Sequence, residues 1–220
     1  MIQNNTDSLI STDKIILDKI KTVKSQNIIN DLLDYSNFYF SADVEDLENL
    51  YNQFMKFSTN ENYKAKLTEK YNKLKLIVKG KPSPKFNFEN HKGGTTSLDD
   101  LKGKYVYIDV WATWCGPCVQ EIPFMKEIEK KYHGRNIEFI SISIDKKKDY
   151  DKWKKFVTDK QMTGIQLIAD NAFESKFVQD YVVEGIPKFI LIDPQGNIVL
   201  SEAPRPSDKK LIKLFDELKI

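Results

Sequence analysis

The sequence predicts an α/β domain built on a mixed central sheet flanked by helices, preceded by an all-helical segment. Three observations carry this. Apolar residues recur at helical spacing over the first third, residues 79–85 read "KGKPSPK", and β-branched or aromatic runs then alternate with helical stretches to the end. With 220 residues, 40% hydrophobic and 30% charged, the chain can build one sizeable core or a core plus a smaller appendage.

From about Ser8 to Val78 three or four amphipathic helices are expected. Their apolar positions are Ile16, Ile20 and Val23, then Leu47, Leu50, Tyr51 and Phe54, then Leu67, Tyr71, Leu74 and Val78. Breaks are placed near Ser36–Asp43 and Ser58–Asn60, where short polar side chains can cap the helix that follows. Nothing in this region carries chemistry, and it reads as a packing or dimerising appendage or as a docking surface. The Gly, Pro and Lys of residues 79–85 end helices and rarely start core strands, so the boundary is placed there: a helical domain over 1–80 and an α/β domain over 81–220.

Beyond the boundary, "KFNFEN", "HKGG" and "TTSL" read as strand, glycine turn and strand, while "KYVYIDVW" and "IEFISISI" are strand-length apolar runs. A helix is expected from Cys115 to about Tyr132 between those runs, another over Tyr150–Lys160, a strand at "IQLIA", and a short helix around Phe173–Gln179. "KFILID", "PQGN" and "IVLS" form a hairpin, and "SDKKLIKLFDELKI" closes the chain as a helix capped by Ser207 or Asp208.

The formal charge is +2, from 34 basic and 32 acidic residues, and the lysines lie among acids, which excludes a nucleic-acid face. The one dense run, Lys146–Lys148, reads as a solvated loop. No stretch approaches the roughly 18 consecutive apolar residues of a membrane span. The start "MIQNNTDSLISTDK" has no apolar signal core, although a polar start is also what removal of a leader or lipid anchor leaves.

Both cysteines of the chain stand in "WATWCGPCVQEIP", at Cys115 and Cys118. Residues three apart on a helix share a face, with Cα atoms about 5 Å apart, within the reach of a disulfide. A thiol in the first helical turn meets unpaired N–H groups and the positive end of the helix dipole, which favour thiolate, so Cys115 is expected to be the nucleophile. Pro117 suits a first turn because its missing N–H has no helical partner, and Gly116 leaves room beside the sulfur. Cys118, one turn further in, is expected to be shielded and to act second. A carboxylate inside "YVYIDVW" is costly to bury, and burial raises its pKa, which singles out Asp109. The bland alternative for Asp109 is a strand-edge residue in water.

These residues carry a resemblance. "YIDVWATWCGPCVQEIP" resembles the active-site segment of thioredoxins, and residues 82–220 resemble the TlpA/ResA family of bacterial thiol-disulfide oxidoreductases, a redoxin/AhpC-TSA type of domain. Trp114 before the pair, the Gly-Pro dipeptide, Pro123 where the family's helix kinks, the hairpin before the first core strand and a helical insertion over 146–160 all match. The resemblance implies a thioredoxin fold and a redox-active Cys115–Cys118 disulfide, with no cofactor and no metal. It makes Pro187 of "EGIPKFILID" a cis-proline facing the cysteines, and Ile186 the residue whose backbone pairs with an extended substrate. It makes Asp109 the base that takes and returns the proton of Cys118, and it aligns Ser141 where thioredoxins carry a lysine. Glu121 and Glu184 lie close enough in sequence to tune the thiols, but an exposed helix face or loop tip explains either equally well. Trp111 and Trp153 read as packing.

The resemblance further implies disulfide-containing protein substrates and an upstream electron donor, such as a membrane thiol transporter or a thioredoxin. It points to a periplasmic or cell-envelope setting, with membrane contact only through an anchor outside this chain. A cytoplasmic thioredoxin-like protein fits the two cysteines as well. Three rivals stand beside the reductase. A zinc site on Cys115, Cys118 and His133 is one ligand short, with His91 the only other histidine. A thiol peroxidase on the same fold would use Thr113 before the cysteine. A redox-regulated binding module would be recruited by the helical domain.

Overall fold

The computed structural model describes residues 12–37 and 39–220, so the chain start and the expected beginning of the first helix near Ser8 lie outside the described residues. The chain divides into two compact units, the first ending at Lys75 and the second running Leu76–Ile220.

The first unit holds four helices, α1 (Thr12–Thr22), α2 (Gln26–Ser36), α3 (Leu47–Phe57) and α4 (Glu61–Leu74). Each buries one apolar stripe: Ile16 and Ile20, Ile29 and Leu33, Leu50 and Phe54, Tyr63 and Leu67. Asp46 and Asn60 cap α3 and α4 by accepting from Asn49 N and Tyr63 N. The Asn60 cap falls within a predicted break, whereas α3 starts after the predicted Ser36–Asp43 break because Phe40 and Ala42 are buried before it. The break between α1 and α2 has no strong sequence marker. Ser25 stands at the cap position but makes no side-chain cap hydrogen bond, so its polarity alone did not separate the two helices.

The second unit is a seven-stranded mixed sheet in the order β2-β1-β5-β4-β3-β6-β7. Its strands are β1 (Asn87–Asn90), β2 (Thr95–Ser97), β3 (Tyr105–Trp111), β4 (Ile137–Ser143), β5 (Ile165–Ile168), β6 (Lys188–Ile192) and β7 (Ile198–Leu200). Its helices are α5 (Gly116–Lys131), α6 (Tyr150–Asp159), α7 (Lys176–Asp180) and α8 (Lys209–Glu217). The β3, β4 and β5 strands run parallel, with Asp109 opposite Ser141, and β6 is antiparallel to β3, with Asp109 opposite Phe189. The β1–β2 hairpin turns through Gly93 and Gly94, whose φ angles of 99° and 69° side chains rarely adopt. The expected insertion is a 3-10 turn followed by α6, and Lys146–Lys148 are exposed. Asp208, rather than Ser207, caps α8 by accepting from Lys210 N.

All but the first residue of β3 are buried, so both of its faces are covered, as a central strand in a layered α/β fold requires. On the face shared with α5 and α8, Tyr107, Phe189, Phe139 and Leu191 pack with Met125, Ile128, Leu211 and Phe215. The Phe215 ring meets Tyr132 edge-on at 5.0 Å and Tyr107 at 5.8 Å. Phe215→Ala is expected to destabilise this unit by about 3–5 kcal/mol. Denaturant unfolding followed by fluorescence checks it, since all three tryptophans, Trp111, Trp114 and Trp153, lie in the second unit.

Candidate active site

The chain leaves β3 at Trp111, runs through "ATW" and enters α5 with Cys115 at the N-cap. Cys115 and Cys118 are joined by a disulfide with Cα atoms 5.3 Å apart. The backbone N–H of Cys118 donates to Cys115 Sγ at 3.2 Å, so the sulfur occupies the place that a Ser or Asp oxygen takes at an ordinary N-cap. Cys115 Sγ also lies 3.7 Å from the carbonyl oxygen of Ile186. The Ile186–Pro187 peptide is cis, immediately before β6. Cys118 is 1% exposed and Cys115 5%. Pro117 occupies the first turn of α5 and Pro123 its interior. A Cβ added at Gly116 would meet no atom within 4 Å, so the glycine leaves the approach to the sulfur open rather than relieving an internal clash.

Trp114 is 54% exposed beside the pair, its ring 6.4 Å from that of Phe173. Trp111 and Trp153 are buried and pack at a tilt against Phe156 and Tyr150 respectively, which makes them packing residues. His133 follows α5 at its far end, about 24 Å of helix from the cysteines, so one metal ion cannot bind all three.

The strand-edge alternative for Asp109 does not survive, because β3 is central and the side chain is 5% exposed. Its Oδ1 accepts no hydrogen bond from the described residues. Burial, with the charges of Glu121 and Glu129 added, pushes its pKa well above the usual carboxylate range. Ser141, opposite it on β4, supplies no compensating cation.

Glu121 is buried, not on an exposed helix face. It accepts from Ser207 N at 2.9 Å and Ser207 Oγ at 2.8 Å, and Arg205 lies 3.6 Å away. Both oxygens therefore tie α5 to the loop before α8, and the charge of Glu121 is one of those that raise the Asp109 pKa. Glu184 is exposed on the loop before Ile186.

Asp145 was not singled out by the sequence. It is 1% exposed just past the carboxyl end of β4. Thr113 N donates to its Oδ2 at 2.9 Å, Thr113 Oγ1 to its Oδ1 at 2.8 Å, and Ser143 Oγ to its Oδ2 at 2.7 Å. Two of these bonds hold the residue two places before Cys115, so Asp145 positions the loop that leads into Cys115. The available signal was positional: functional side chains of open α/β sheets collect at the carboxyl ends of parallel strands.

The AhpC/TSA family model matches residues 79–201, more than half of the chain. The chain belongs to this family. Over 120 residues it is 33% identical to the thiol-disulfide oxidoreductase ResA of Bacillus thuringiensis (strain Al Hakam), covering 54% of this chain and 66% of that relative, just under two thirds. A solution structure of a Bacteroides vulgatus protein described as a thiol-disulfide oxidoreductase matches with TM-score 0.57 and 48% identity, covering 64% of this chain and 90% of that one. The thioredoxin domain of another thiol-disulfide oxidoreductase from Bacteroides vulgatus matches with TM-score 0.58 and 25% identity, covering 64% and 98%. The AhpC/TSA-family unit of this chain is therefore a thioredoxin-fold thiol-disulfide oxidoreductase domain.

Two outcomes follow from this geometry. The folded chain holds the proton of Asp109 more tightly than the unfolded chain, whose aspartate titrates near 3.8, so wild-type stability falls as pH rises from that value toward the raised one. Asp109→Asn should gain stability over the wild type as pH rises above about 4, with each kcal/mol relieved adding about 2–4 °C to the melting temperature. Asp145→Ala leaves the two Thr113 donors without their acceptor. It should cost about 1–3 kcal/mol in thermal melts and slow disulfide exchange about 10- to 100-fold through displacement of Cys115, read as insulin reduction.

Proposed function

We propose that this protein reduces disulfides in partner proteins through the Cys115–Cys118 pair, with Cys115 as nucleophile, Cys118 as resolving thiol and Asp109 as its base. The observation that supports this most is the N-cap geometry. In the reduced protein, a thiolate at Cys115 keeps the Cys118 N–H as donor and sits at the positive end of a sixteen-residue helix. No side chain at Gly116 obstructs it.

The thiolate of Cys115 attacks one sulfur of the substrate disulfide and expels the other half as a thiolate, leaving a mixed disulfide. Cys118 gives its proton to Asp109 and attacks Cys115 Sγ, which closes the internal disulfide and releases the second substrate thiolate. Two electrons have left the pair, and a donor dithiol returns them. The uncharged Gly-Pro between the cysteines matches thioredoxin, a reductant near about −270 mV, which favours reduction over oxidation as the working direction.

The substrates are disulfide-containing proteins presented as extended segments beside Ile186 and Pro187, where a backbone approaching Cys115 would pass. Relatives named ResA and a structural neighbour titled as a thiol:disulfide interchange protein DsbE, from Chlorobium tepidum, support a periplasmic or cell-envelope setting, with an electron donor of the membrane thiol transporter or thioredoxin type. Among the described residues no helix is long and apolar enough to cross a membrane, so any anchoring there would come from outside them.

Cys115→Ser is expected to abolish insulin reduction, and Cys118→Ser to accumulate mixed disulfides resolved on non-reducing gels. Equal alkylation of the two variants by iodoacetamide would overturn this division of roles. A redox titration read by Trp114 fluorescence should show a two-electron transition below about −220 mV, and a midpoint near about −120 mV would reverse the direction.

A further inference from the structure

Beneath α5, between the helix and strands β3, β4 and β5, lies a cavity of about 10 Å³ whose lining includes Asp109, Ser141, Lys126, Glu129, Thr163 and Gln166. That volume is close to what one water molecule needs. Three buried acceptor atoms on residues of its lining, Asp109 Oδ1, Glu129 Oε2 and Gln166 Oε1, receive no hydrogen bond from the described residues. Buried acceptors are rarely left without a donor, and these three belong to one polar cavity from three different elements. A water there, or a proton on either carboxyl, supplies the donors they lack.

Glu129 also reaches the outside. Together with Lys126 and Thr163 it lines a second cavity, of 820 Å³, which lies over the far end of α5 and the start of β4. It is thus shared between the small polar cavity beside Asp109 and an outer cleft. The chain keeps this arrangement tight: Gly164 has φ of 68°, and a Cβ there would come within 2.7 Å of Glu129 Oε1 and 2.8 Å of the Phe139 carbonyl oxygen. No side chain larger than hydrogen fits between Glu129 and β4 at that point.

We propose that Glu129, through one water in this cavity, carries the proton of Asp109 to and from solvent. The inference rests on Asp109 acting as the base for Cys118. The Asp109 carboxyl first gives its proton to the water, which gives one to the Glu129 carboxylate, and Glu129 releases it to the outer cleft. The Asp109 carboxylate so formed takes the proton of Cys118 as that thiol attacks Cys115 Sγ, which restores the carboxyl, and no electron moves in this part of the proton route. Glu129 touches neither sulfur and acts through Asp109.

The charges that face this route are few. From α5 come Glu121, held by Arg205 and Ser207, and Lys126, whose Nζ donates to the Lys160 carbonyl at 2.6 Å. From β3 comes the Tyr107 hydroxyl, which donates to Pro204 O. From β4, β5 and β6 come the uncharged Ser141, Gln166 and Phe189. Both carboxyls are held above their ordinary range, chiefly by burial.

The test is a stopped-flow reaction of the reduced protein with one equivalent of dithionitrobenzoate. The first thiolate released reports attack by Cys115, and the second reports resolution by Cys118. Glu129→Gln is expected to leave the first phase unchanged and slow the second at least about tenfold near neutral pH, with no further slowing when added to Asp109→Asn. An unchanged second phase in Glu129→Gln, beside a slowed one in Asp109→Asn, overturns the relay alone. Equal slowing by Glu129→Gln in both backgrounds overturns it too, because a structural defect would be additive. A shift of the acid limb to lower pH with an unchanged plateau makes Glu129 only an electrostatic neighbour of Asp109. An unchanged second phase in Asp109→Asn removes the base and the relay together.

Discussion

Strand β3 is the constraint from which the redox site hangs. It is central, covered on both faces and flanked by a parallel and an antiparallel neighbour, so its backbone has no freedom to shift. Asp109 lies within it, the loop carrying Trp114 leaves its end, and Ile186 and Pro187 precede β6, its antiparallel partner. Cys115 and the backbone that faces it are therefore carried by loops flanking two paired strands, β3 and β6, which bring Cys115 Sγ within 3.7 Å of the Ile186 carbonyl oxygen.

Two buried aspartates near that strand show how the same side chain serves opposite ends. Asp145 takes three hydrogen bonds from Thr113 and Ser143, which satisfy its charge and convert it into a clamp on the loop before Cys115. Asp109 is equally enclosed but has an oxygen without a donor, no cation on Ser141, and two further acids near it. Its charged form is disfavoured, which suits the base proposed for Cys118. The destabilisation that goes with an unsatisfied buried carboxyl is tolerated within a core built on Tyr107, Phe139, Phe189 and Phe215.

Much of this was legible in the chain itself. Local spacing identified α1, α3 and α4 of the first unit, the strand-length apolar runs, the glycine turn at Gly93–Gly94 and the Cys115–Cys118 pair, because each of these is decided by residues within one or two turns of each other. The α1–α2 break was not legible, since Ser25 makes no cap hydrogen bond to mark it. Asp145, Glu129, Arg205 and Ser207 were not legible either. Thr113 is 32 residues from Asp145 and Ser207 is 86 from Glu121, separations that no local pattern records.

The sequence by itself determined the chemistry available: two thiols at the entrance to a helix, a carboxylate in an apolar strand, and an alternation of strands and helices that admits few topologies. The burial of Glu121, the clamp from Asp145 and the polar cavity joining Asp109 to Glu129 were decided by tertiary structure. Burial and hydrogen-bond satisfaction depend on what packs from distant elements, and a side chain of given polarity becomes a tether, a clamp or a proton carrier only once those neighbours are in place.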